Sequence, residues 1–62
     1  MSTKILHKLK SLREKRLWNM QTLADRADVA LATVSNAEAG RPISFGTIKK
    51  LADALGVAPE KL

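Results

Sequence analysis

The sequence predicts an all-α protein, a compact bundle of four to five helices in one domain. Three observations carry that prediction. Apolar residues recur at helical spacing along almost the whole chain; the breaks between these stretches are short and hold capping or helix-ending residues, Asn19, Gly40, Ser44 and Gly56; and no alternating strand pattern, repeat or low-complexity segment interrupts them. A chain of 62 residues buries only about 60% of the surface its unfolded form exposes, so its core must be small and its connections tight. With no cysteine and one histidine, His7, neither a disulfide nor a structural zinc site can be assembled, and packing alone must hold the fold.

Residues 3 to 16 read as the first helix, capped by Thr3 or Ser2, with Ile5, Leu6, Leu9 and Leu12 on one face. Arg13 falls one turn beyond Leu9, beside the buried stripe, and needs an acidic partner there. His7 lies off the stripe and reads as a solvated side chain. Asn19 is a good N-cap for a second helix from Met20 to about Ala27, and Trp18 takes the staple position before it, at the edge of the core. Asp28, Val29 and Ala30 form a tight turn in which Asp28 takes a left-handed position that glycine usually fills; in the alternative, Asp28 caps the third helix. The third helix spans Leu31 to Ala39 and ends on Gly40, with alanine at its cap position. Ser44 caps a fourth helix, Phe45 to Leu55, whose inner face is Phe45, Ile48, Leu51, Ala52 and Leu55 and which stops at Gly56. Gly46, a poor helix former in the first turn, points to a close approach of backbone to protein or phosphate. Val57 returns to the core, Pro59 opens a short closing helix, and Leu62 covers the bottom of the bundle.

Charge narrows the function. Eleven Lys and Arg against six Asp and Glu give a formal charge of +5. The excess sits at one end: Lys4, Lys8, Lys10, Arg13, Lys15 and Arg16 face only Glu14 before residue 17. A basic end on a small domain suits a polyanion such as nucleic acid, or simply keeps the chain in solution. No apolar run approaches the ~20 residues of a membrane span and no signal peptide follows Met1, which leads us to expect a cytoplasmic protein with no membrane partner. Paired carboxylates, metal ligands, a nucleophile with its base and a Gly-rich phosphate loop are all lacking, so neither an enzyme nor a cofactor is expected. The segment from about residue 20 to 39 reads as a helix-turn-helix, with Val29 fixing the angle and the third helix turned outward. Its outward positions are then Leu31, Ala32, Thr33, Ser35 and Asn36. Asn36 can make two hydrogen bonds to an adenine, and Thr33 and Ser35 can bond a base or a phosphate. Arg41, together with the backbone N–H groups of Ser44, Phe45 and Gly46 at the start of the fourth helix, suits phosphates.

The stretches LKSLREKRLWNMQTLA, ATVSNAEAG and TIKKLADALGVAPEKL, in that order and spacing, resemble the Cro/C1-type helix-turn-helix domain of phage repressors and their bacterial relatives, the lambda repressor-like XRE family. The resemblance implies a bacterial or phage-encoded transcriptional regulator that binds double-stranded DNA at a palindromic operator. It also implies a homodimer, formed in solution or only on DNA; with no long tail or zipper for pairing, we expect such a dimer to use the surface of the fourth and fifth helices. Asn19 falls where the family caps its second helix and contacts phosphate, with Met20 and Gln21 beside it. Arg13 and Glu38 fall where members pair the first helix with the end of the recognition helix. The chain departs from the family pattern at Met20, where many members have glutamine, at Leu31 and Ala32, where many place polar base-reading residues, and at Ala37, where the core residue is larger. Leu31 and Ala32 can pack only on thymine methyls. The alternative function is a protein-interaction module on the same scaffold, an antitoxin or adaptor that docks its partner on the Met20, Leu31 and Ala32 patch.

Overall fold

The computed structural model describes residues 3–62, so a cap at Ser2 lies outside the described residues. Four α-helices dominate: α1 (Leu9–Lys15), α2 (Met20–Ala27), α3 (Leu31–Glu38) and α4 (Phe45–Leu55), closed by a 3-10 helix at Pro59–Lys61. The fold is the all-α bundle that the sequence predicts. Leu9, Leu23, Val34 and Leu51, one from each helix, are fully buried at its centre. α2 packs against both α3 and α4, and Leu62 is buried where the chain ends.

The first expected helix is corrected. Only Leu9–Lys15 is helical; Thr3–Lys4 forms a strand, β1, that pairs antiparallel with β2 (Ile43–Ser44), Thr3 opposite Ser44 and Lys4 opposite Ile43. No strand is expected from the sequence, so this pair is a second correction. Thr3 is therefore not a cap, and the cap position of α1 falls to Lys8, with no side-chain bond. Thr3 and Lys4 lie beside Ile43–Ser44, so their backbone groups bond across to β2 rather than along a helix. Leu6 and Leu9 still reach the core through the turn at His7 and Lys8, whereas Ile5 is left exposed.

All four α-helices end in one way. One or two residues past each end the backbone turns left-handed: Leu17 at φ 58°, Asp28 at 57°, Gly40 at 86° and Gly56 at 70°. In each case its N–H and the next one turn back onto the helix, as where Leu17 donates to Glu14 O at 2.9 Å and Trp18 to Arg13 O at 3.3 Å. Asp28 thus ends α2 rather than capping α3, and Val29 donates to Ala24 O at 3.0 Å. Glycine enters this region freely; for other residues it costs roughly 1–2 kcal/mol. Leu17 is 94% exposed, so replacing it loses no packing. Leu17→Gly should therefore raise stability by roughly 0.5–1 kcal/mol, after the extra freedom glycine gives the unfolded chain, and lift the melting temperature by a few degrees. A melting curve that stays put or falls would show that the backbone at Leu17 carries no strain.

Two residues of α4's start also differ from expectation. Phe45 is 56% exposed rather than part of the inner face, which Ile48, Leu51, Ala52 and Leu55 supply. Ser44 takes the cap position, but its hydroxyl donates to Thr47 Oγ1 at 3.2 Å and accepts no backbone N–H.

Candidate nucleic-acid interface

α3 is amphipathic in a simple way. Val34 and Ala37 are fully buried, while Leu31, Ala32, Ser35 and Asn36, at i, i+1, i+4 and i+5, share the exposed side. Thr33 is half-buried at the margin, so less of it is presented than the outward reading requires. The helix ends at Glu38, one residue short of Ala39. Its angle to α2 is set by the Asp28 turn and by Val29, which packs half-buried on the core.

The residues expected at phosphates divide into free and committed groups. Asn19 Oδ1 accepts the Thr22 N–H at 2.8 Å and caps α2, leaving its exposed amide donors to solvent. Gln21 is exposed, but its Nε2 donates to Asp25 Oδ1 at 2.8 Å, so a phosphate would have to displace that contact. Met20 is half-buried and packs on the core. Arg41 is exposed immediately after Gly40. Its position carries information: Trp18, Val29 and Val57, the residues after the other three left-handed positions, are apolar and pack on the core, as this kind of helix end favours. Only after α3 does a cation stand there, facing solvent. Gly46 has open space where a Cβ would lie, so no close approach by the protein accounts for it.

At its far end α3 is tied to α1. Arg13 Nε and Nη2 donate to Glu38 Oε2 and Oε1 at 2.6 and 2.9 Å, and Nη1 donates to Trp18 O at 2.7 Å. The two side chains are only 11% and 9% exposed. The hydrogen bond to Glu38 raises the Arg13 pKa above its usual value, against the opposing pull of burial. Its stabilisation is thus complete below the unfolded arginine pKa and flat through all ordinary pH.

Sequence reading missed the roles of two other arginines. Arg16 donates Nη1 to Leu12 O at 2.8 Å and Nη2 to Leu55 O, placing a cation on the carboxyl end of α4. The Arg26 guanidinium lies 4.6 Å from the centre of the Trp18 ring, a cation–π contact. Arg13 announced itself by lying beside the apolar stripe, but no local signal marked Arg16, whose acceptor is 39 residues away. The basic first segment therefore spends two of its six cations internally, and Lys4, Lys8, Lys10 and Lys15 remain exposed.

A short helix packed against α2 across a tight turn, anchored to α1 at its far end and with small side chains uncovered on its outer face, is the arrangement of a helix-turn-helix. The helix-turn-helix family model matches residues 9–62, from the first residue of α1 to the end of the chain, and the chain belongs to that family, the Cro/C1-type. Neither the curated proteins nor the solved structures compared with it give a match. Membership assigns the general function, a DNA-binding domain of transcriptional regulators. Among the described residues no helix is long and apolar enough to cross a membrane, and no cluster of His, Asp or Glu suits a metal ion.

Proposed function

We propose that this protein is a repressor-like regulator that binds double-stranded DNA sequence-specifically, laying α3 in the major groove. One observation carries the reading: the outer side of α3 from Leu31 to Asn36 is uncovered, with Arg41 exposed just past its end. Asn36 reads an adenine by two hydrogen bonds, Ser35 and the margin of Thr33 bond bases or phosphates, and Leu31 and Ala32 pack on thymine methyls. Asn19, Arg41 and the N–H groups at the start of α4 hold phosphates and fix the register. The protein acts in the cytoplasm as a homodimer on a palindrome. The domain measures 31 × 22 × 18 Å, so two copies side by side fit recognition helices about 34 Å apart, one turn of DNA.

Few hydrogen-bonding readers face the bases, so phosphate contacts supply most of the affinity and binding falls steeply with salt. Selection from random duplex DNA at moderate salt tests this. A palindrome with half-sites one turn apart is the expected product. Retention without enrichment would reduce the protein to a non-specific binder. Leu31, 43% exposed beside Ala32, is the observation that favours a docked protein instead. Failure to retain any duplex would select that alternative, an antitoxin or adaptor module.

A further inference from the structure

We infer that β1 is a clip on the linker between α3 and α4: by pairing with Ile43 and Ser44 it holds Arg41 and the start of α4 where a DNA phosphate meets them. The inference rests on the regulator reading and adds a positioning element to it. β1 is Thr3–Lys4 and lies ahead of Leu9, where the match to the family begins. Its role has to be read from this chain.

Arg41 stands between two ties to the amino-terminal segment. On one side Glu38 is gripped by Arg13 of α1, and on the other Ile43 and Ser44 lie opposite Lys4 and Thr3 in the strand pair. Between the ties the linker holds itself weakly. Arg41 N–H donates to Asn36 O at 3.1 Å, but Pro42 has no N–H to give, and Ser44 makes no side-chain cap on α4, whose first turn also lacks an acid. Buried Ile43 pins one side of the linker to the core, and β1 fixes its edge. The pairing sets the backbone of Ser44, the residue that opens α4 and its row of N–H groups.

Thr3 and Lys4 are both exposed, so β1 brings backbone pairing and little packing. Two strands of two residues are no stable sheet by themselves. What the pair does is order the linker before DNA arrives, and prior order matters because a loop that must be arranged on binding loses affinity in proportion to the time it spends elsewhere. A linker correctly placed a third to a tenth of the time binds roughly three- to tenfold more weakly.

The test compares variants of the full chain on the duplex enriched by selection. Thr3→Pro with Lys4→Pro removes both N–H donors of β1, whereas Lys4→Gln removes the same charge and keeps the strand. Relative to Lys4→Gln, the double proline variant should bind roughly three- to tenfold more weakly. Thr3→Gly, which keeps the charge and weakens the strand less, should lose a smaller part of that factor. Melting curves give the folded fraction of each variant, and titrations are run well below the transitions. A clip that acts through Arg41 makes one further demand. In an Arg41→Ala background the double proline change should cost only about twofold or less, because a contact it positions is already gone. Two results overturn the clip alone: a double proline variant within about twofold of Lys4→Gln, or an equal loss with and without Arg41, which would make β1 a brace for the whole domain. A parent protein that retains no duplex overturns the regulator reading and the clip with it.

Discussion

Glu38→Ala is expected to destabilise the domain by about 3–5 kcal/mol, because it strands the Arg13 guanidinium in a site it cannot leave. Arg13 is 9% exposed and would keep only the Trp18 carbonyl among its partners. A 62-residue domain has roughly 3–9 kcal/mol in total, so the variant sits at the edge of unfolding. At about 4 °C or more per kcal/mol, the melting temperature should fall by at least ~12 °C. Raising the pH offers no relief, since Arg13 stays charged. The mechanism makes a second, opposite demand. Replacing both partners together, Arg13→Met with Glu38→Leu, removes the stranded charge and should recover most of the loss, because two apolar groups of similar size carry no desolvation cost. Circular-dichroism melts of the two variants decide the matter. A melting point for Glu38→Ala within two or three degrees of the parent would show that the pair between α1 and α3 carries no net stability.

That pair also shows what the sequence made legible. Arg13 beside an apolar stripe is a local anomaly that demands an acid, and the resemblance to the family supplied Glu38. The bounds of α2 and α4 and the ends at Gly40 and Gly56 were readable for the same reason: caps and left-handed glycines act within one turn of chain. What was not readable depends on partners far along the chain. β1 exists because Ile43–Ser44 lies beside it, and a two-residue strand has no periodicity of its own. Arg16 looked like any solvated cation until α4 brought the Leu55 carbonyl to it. Leu17 is the instructive case. A leucine gives no hint of a left-handed backbone, yet Trp18 does: an apolar residue directly after the left-handed position is the mark of this closure, as Val29 and Val57 repeat. Phe45 misled for a different reason. Its spacing to Ile48 puts it on the inner face, but it begins the helix, where that face has already passed the edge of the core.

Asn36→Ala and Arg41→Ala should fail in different ways, and the contrast tests the site more sharply than either loss alone. With Asn36 bonding N6 and N7 on the major-groove edge of an adenine, its removal costs about 1–3 kcal/mol at that base pair and nothing elsewhere. The selected sequence should then lose its preference at one position of each half-site, while binding to unrelated duplex stays as it was. Arg41 meets phosphate, which is the same in every sequence, so Arg41→Ala should weaken all duplexes alike. It should also reduce the slope of log affinity against log salt by about one, because one fewer counterion is released. Both side chains are exposed and neither bonds within the described protein, so folding is not the variable. Titrations of the two variants on the selected and a scrambled duplex, at several salt concentrations, separate the cases. A uniform loss from Asn36→Ala would move that residue to the backbone and leave α3 with only the Ser35 hydroxyl and the half-buried Thr33 as weak hydrogen-bonding readers. Specificity would then have to come from the methyl contacts of Leu31 and Ala32 and from the shape of the DNA, and the enriched sites should be rich in thymine steps rather than marked by a fixed adenine.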